Sequence, residues 1–332
     1  MGIRTILLQG FITTFLFTSS AWAADARFCD QYARKSIQQQ VVNVGQGCGN
    51  TGLRWSPLYE GQKNWCLTVR QAIAEAETQA RETALRSCGT TSAPVNWRSL
   101  PDQPGVWDRL FAQEMIALKQ DDAVSIEIMH RHGIDINHDE GFNNGTILYH
   151  AIAQQAEKSA HYLLRQGVNP NRTTNGGWNP MNNMFTRYDP QQRKYVSTKA
   201  NPALLQLLLN YGANPNSYGE LGPGSLPLDE AIDSNQLQAA VLLLRAGANP
   251  NLHDPGVDPI LIRAITGKNH EAVVLLANSG ANVNFGRGGM ACKDKPDSDN
   301  ILPLDIALKI GANMIAQVLR NQGARTAAEC RG

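Results

Sequence analysis

The residues of this 332-residue chain with the most chemistry in them are six cysteines and seven histidines. Their spacing favours oxidation of the cysteines over catalysis by the histidines. None of Cys29, Cys48, Cys66, Cys88, Cys292 and Cys330 stands in a C-x-x-C, the spacing of redox pairs and many zinc sites, and an even count favours disulfides. His130-Arg131-His132 falls at an expected helix end, where cationic side chains complement the dipole. His150, His161 and His270 lie in expected helices with no Glu-x-x-His or His-x-x-x-His spacing. Asp121-Asp122 reads as a helix cap. Asp294, Asp297 and Asp299 lack the glycine and distal glutamate of a calcium loop. Gly286-Arg287-Gly288-Gly289 lacks the strand and helix that frame a phosphate loop. The expectation is a protein with no catalytic residues, no metal and no cofactor.

Binding chemistry is easier to find. Trp55, Tyr59 and Trp65, with Arg54 beside them, form either a stacking platform for sugar or peptide or the filling of a small core. Thirty Lys and Arg against 29 Asp and Glu leave a net charge of +1, without the basic excess of a nucleic-acid binder. With 42% hydrophobic residues the chain has material for a large core, which excludes disorder as its main state.

The elements that position these residues begin after residue 23. Arg4, the apolar stretch Ile6 to Phe17, and Ala21-Trp22-Ala23 read as a cleavable signal peptide over 1–23. That stretch is too short to span a bilayer, and no cysteine follows the cut to carry a lipid. A periplasmic or secreted protein without membrane insertion is expected, in agreement with the cysteines.

Residues 24–89 read as a small four-cysteine module. Phe28, Tyr32, Ile37 and Val41 share one stripe of a helix over Phe28 to Val44, and Leu67 to Cys88 is rich in helix formers. Gly45 to Cys66 reads as the loop between them. An antiparallel hairpin predicts the nested bridges Cys29–Cys88 and Cys48–Cys66, two staples for a marginal core. The segment Cys48 to Ser56, followed by Asn64-Trp65-Cys66, resembles a small module of exported bacterial proteins, and that resemblance implies no activity. Residues 90–105, with Pro94, Pro101 and Pro104, read as a linker.

From 106 to 327 one phrase recurs: Gly133-Ile134-Asp135-Ile136-Asn137, Gly167-Val168-Asn169-Pro170-Asn171, Gly212-Ala213-Asn214-Pro215-Asn216, Gly247-Ala248-Asn249-Pro250-Asn251, Gly280-Ala281-Asn282-Val283-Asn284, and a decayed Gly323-Ala324-Arg325. The glycines stand 34, 45, 35, 33 and 43 residues apart, a period near 33 with two insertions. A second phrase opens the first helix of the repeats as Thr146-Ile147-Leu148-Tyr149, Asn179-Pro180-Met181-Asn182, Leu226-Pro227-Leu228-Asp229, Pro259-Ile260-Leu261-Ile262 and Leu302-Pro303-Leu304-Asp305. Period and phrases resemble the ankyrin repeat. The resemblance implies an all-α solenoid of about six repeats whose outer two act as caps, with a tail over 328–332. The histidine usual in the second phrase is replaced at Tyr149, Asn182, Asp229, Ile262 and Asp305, so its hydrogen bonding between repeats must be supplied differently.

Ankyrin arrays are protein-recognition scaffolds, so the resemblance implies a non-catalytic interaction protein, monomeric itself, that binds another protein through a concave face and its loops. The contact candidates are His138, Asp139, Phe142, Trp178, Tyr218, His253, Asp254 and Arg287, together with Tyr188 and Tyr195 in the insertion Thr186 to Thr198. Trp178 reads equally as packing between repeats, and the insertion reads as a basic-aromatic arm or a solvated loop. The alternative is a cell-envelope glycan binder using Arg54, Trp55, Tyr59 and Trp65. A Cys292–Cys330 bridge is expected to clamp the last repeat.

Overall fold

Asp25 caps the helix that follows it by accepting a hydrogen bond from the Phe28 amide at 2.8 Å. The computed structural model describes residues 23–88, 106–137, 145–174, 177–189, 193–218, 226–253, 256–298 and 301–332. The expected signal peptide and linker therefore lie almost wholly outside the described residues. The chain divides into two compact units between Ala93 and Pro94.

Among the described residues the N-terminal unit has three α-helices, where the sequence suggested two. Helix α1 covers Ala26–Gly45, α2 Tyr59–Thr68 and α3 Gln71–Ser87. The expected loop thus contains a helix, built from residues such as Gly61 and Asn64 that have little helical preference. Packing overrides that preference: Tyr59, Gln62 and Cys66, at helical spacing, form a buried stripe. The extra helix changes the covalent frame. Because α2 returns along α1, Cys66 reaches Cys29 near the start of α1, with 5.5 Å between Cα atoms. Helix α3 then runs in the direction of α1 and brings Cys88 to Cys48, just past the end of α1. The bridges are Cys29–Cys66 and Cys48–Cys88, not the nested Cys29–Cys88 and Cys48–Cys66.

The second unit is a row of six helix pairs. They are α4 (Val106–Lys119) with α5 (Ala123–Arg131), α6 (Ile147–Ala153) with α7 (Glu157–Arg165), α8 (Pro180–Phe185) with α9 (Pro202–Asn210), α10 (Pro227–Asp233) with α11 (Leu237–Arg245), α12 (Ile260–Thr266) with α13 (His270–Asn278), and α14 (Pro303–Lys309) with α15 (Asn313–Asn321). First helices contact first helices, and second helices contact second helices, all along the row. Thr146 and Asn179 cap α6 and α8 through the Tyr149 and Asn182 amides, and Pro180, Pro227 and Pro303 occupy first helical turns. Asp122 caps α5, whereas its neighbour Asp121 caps α7 of the following pair through the Lys158 and Ser159 amides. Met129, Leu163, Leu208, Leu243, Leu276 and Leu319, four residues before each repeat glycine, form a continuous buried column. The repeat glycines all adopt positive φ, the conformation that lets the chain leave each second helix without a Cβ clash.

Two features depart from the expected array. The insertion after α8 is not an irregular loop but a hairpin, β1 (Thr186–Asp189) paired antiparallel with β2 (Lys194–Ser197). At the far end the expected tail is a short helix, α16 (Ala327–Arg331), with a Thr326–Glu329 capping box. A Cys292–Cys330 disulfide ties α16 to the loop preceding α14, over a small core of Leu302, Ala327 and Cys330. The buried Asp305 carboxylate accepts from the Ala327 amide at 2.8 Å, and Arg320 pairs with Glu329 at 2.7 Å. That hydrogen bond, with those from Thr326, holds the Glu329 carboxyl at about 2.

Candidate functional site

The array and the N-terminal unit each present a candidate surface. In the array, the second Asn of the four glycine phrases from Gly167 to Gly280 joins neighbouring repeats. Asn171 donates from Nδ2 to the Gly212 carbonyl (2.8 Å) and accepts at Oδ1 from the Asn214 amide (2.7 Å). Asn216 does the same with Gly247 and Asn249, Asn251 with Gly280 and Asn282, and Asn284 with Gly323 and Arg325. Within each phrase the first Asn side chain accepts from the amide of the second, fixing the donor's position. This ladder supplies bonding between repeats that the missing histidines do not. Its signal was the recurring Asn itself. The final rung needs only backbone groups, the Gly323 carbonyl and the Arg325 amide, so the decayed phrase still completes it.

The loop candidates project from this frame with different environments. Tyr218 is 41% exposed. The His253 ring packs against Phe285 of the next loop, tilted by 60° with ring centroids 5.3 Å apart. Arg287 pairs with Asp258 of the preceding loop at 3.0 Å. Those two candidates therefore couple adjacent loops. Trp178 is half-buried and closes its own loop, its amide donating to the Thr174 hydroxyl at 3.1 Å. Tyr188 and Tyr195 are partners across the hairpin. His138, Asp139, Phe142 and Asp254 lie outside the described residues. Sequence reasoning missed Arg263 on α12, which pairs with Asp229 and Asp233 of α10 at 2.9 and 3.0 Å. Burial pushes the neighbouring Glu230 and Asp233 carboxyls up.

In the N-terminal unit the four platform candidates do not share a face. Trp55 and Tyr59 are buried, and the Tyr59 hydroxyl donates to Asp30. That hydrogen bond lowers the Asp30 carboxyl, while burial raises the phenol. Arg54 and Trp65 instead line a cavity of about 400 Å³ with Tyr32, Leu53, Gln62 and Arg81. Arg81 is 1% exposed. Its guanidinium donates to the Ser36 hydroxyl (2.6 Å), the Tyr32 hydroxyl (2.8 Å), Gln62 Oε1 (2.9 Å) and the Arg54 carbonyl (2.8 Å). No family resemblance or spacing rule singled out this residue in the sequence.

No family model and no curated protein matches the sequence. Among solved structures, an ankyrin repeat domain from Acinetobacter baumannii AYE is 23% identical, with TM-score 0.49, over 64% of this chain and 98% of its own. The human ASB11 ankyrin repeat domain is 20% identical, with TM-score 0.45, over 66% of this chain and 91% of its own. The ankyrin repeat domain of Bcl-3 is 19% identical, with TM-score 0.49, over 65% and 92%. By its own period, paired helices, left-handed glycine turns and phrase-to-phrase bonding, the second unit has the ankyrin-repeat fold.

Proposed function

We propose that the protein is a non-catalytic interaction scaffold acting in the periplasm or after secretion, and that its repeat array binds another protein. The asparagine ladder carries this reading. It bonds repeat to repeat over four successive junctions, so the loops between are presented from a pre-organised frame, which lowers the ordering cost of an extended protein interface. Tyr218, exposed and aromatic, and His253, packed at a tilt against Phe285, are the contacts of the described loops with the character of interface anchors. Three disulfides favour the oxidising compartment that the 1–23 segment suggests.

The test is capture from a cell-envelope extract by the immobilised mature chain, beside a Tyr218→Ala/His253→Ala variant of matched thermal stability. A protein retained saturably by the first and at least about tenfold less by the second is expected. Equal retention by both, or no saturable retention, would overturn the reading.

A further inference from the structure

The cavity of the N-terminal unit has an unbalanced charge. Arg81 at its floor is inaccessible to solvent, and its four hydrogen bonds within 3 Å all go to neutral oxygens. Its nearest carboxylate, Glu77, stands 3.9 Å away and is shared: Arg54 holds it at 2.6 Å. Two guanidiniums thus face one carboxylate, an arrangement that leaves a positive charge at a partly enclosed site. Beside the polar lining of Ser56, Gln62 and Glu77, the walls carry an apolar part. The Tyr32 and Trp65 rings lie 5.5 Å apart, and Leu53 at the rim is 95% exposed. That leucine does not belong to a loose segment. Gln62 Nε2 donates to the Leu53, Arg54 and Ser56 carbonyls, and Arg81 Nε to Arg54, so the rim turn is fastened to the floor. An internal network explains the guanidinium's donors. It does not explain a 400 Å³ opening beside them, walled by aromatic rings and edged by an exposed leucine.

We infer that this cavity binds a carboxylate borne on an apolar group, the carboxylate meeting Arg54 beside Arg81 and the apolar part lying between Trp65 and Leu53. A peptide C-terminus and a fatty acid both present that chemistry. Recognition here uses neither the array nor its loops, so it stands apart from the scaffold reading.

Calorimetric titration of the mature chain with N-acetyl-leucine, octanoate and N-acetyl-leucinamide tests it. Saturable binding of at least one carboxylate is expected, with the neutral amide at least tenfold weaker. The preferred acid distinguishes a peptide end from an acyl chain. Arg54→Gln alters a half-exposed side chain and keeps the main-chain carbonyl of residue 54 that accepts from Arg81. It is expected to weaken binding severalfold with the melting temperature unchanged. Glu77→Gln removes the competing carboxylate and is expected to tighten binding, which a purely structural network would not produce. Equal affinity for acid and amide, no saturable binding by either acid, or an indifferent Arg54→Gln would overturn the proposal.

Discussion

The N-terminal unit places a charged side chain at its centre, whereas the repeat array keeps its leucine column apolar and repeats one polar motif in a row near solvent. In the first, Arg81 joins groups from α1, α2 and the rim turn, and each of its partners occurs once. In the second, one pair of hydrogen bonds is repeated at four junctions, each made by an asparagine in the same place. A unit of roughly 65 residues buries too little apolar surface to hold itself together by packing alone, so it relies on a unique network and two covalent bonds. The array grows its core by adding neighbours. Damage should therefore be all-or-none in the first and graded in the second.

Redox chemistry gives the sharpest separation. Replacing Cys48 and Cys88 by serine removes one of the two bridges of the N-terminal unit, at a cost of about 2–5 kcal/mol, enough to unfold so small a unit. The array should keep its helical signal and its own transition. Non-reducing peptide mapping of the parent should link Cys29 to Cys66 and Cys48 to Cys88. A variant whose N-terminal unit melts normally would break the contrast.

Mild acid should act on the other unit. All seven histidines lie in the array segment, none before residue 130. Burial, beside Phe111 at 5.0 Å, pushes the His150 imidazole down to about 4, and burial lowers His130 and His132 too. A histidine with a depressed folded-state pKa stays neutral while the unfolded chain takes up a proton. Its contribution is full above pH 6.5 and falls away as pH drops toward 4, by up to about 3 kcal/mol for His150. Glu230 and Asp233, raised by burial, work in the opposite direction as pH falls, so the informative window is the one just below 6.5, where the unfolded chain's histidines first take up protons. Melting curves should show the array transition falling across that window while the N-terminal transition holds. His150→Phe should flatten the fall. Equal pH dependence of both transitions would remove the distinction.

The smallest effect tests gradedness itself. Asn216→Ala deletes two bonds between repeats, to Gly247 and Asn249, and leaves the other three rungs intact. A loss of about 1–2 kcal/mol in denaturant unfolding is expected, with the folded signal retained. Collapse of the whole array would show that the rungs are not independent.

The sequence showed most plainly what repeats. Gly133, Gly167 and their counterparts announced the period, and Thr146, Asn179 and the prolines announced the helix starts. Where one local segment had to be judged alone, physics beyond the segment decided. Helix α2 escaped notice because Gly61 and Asn64 argue against a helix, and its buried stripe of Tyr59, Gln62 and Cys66 contains a polar residue at the centre. With α2 missed, the disulfide pairing followed the wrong topology. Arg81 carries no sequence mark of its burial, since its neighbours in α3 are those of any exposed helix. The hairpin at 186–197 lacks the short glycine turn that normally betrays one. Trp55 and Tyr59 look like a binding face only while α1 and α2 are unplaced.

The rungs of the ladder span very different lengths of chain. Asn171 and Gly212 are 41 residues apart, Asn216 and Gly247 31, Asn251 and Gly280 29, and Asn284 and Gly323 39. Each pair nevertheless meets within 2.8 to 3.0 Å. Contour length between rungs is thus invisible to the stack. The hairpin between α8 and α9, and the long segment that carries Cys292, sit in the two longer intervals without disturbing the register on either side. Segments there can differ in length while the frame that presents them keeps its pitch, provided that Cys292 still reaches Cys330.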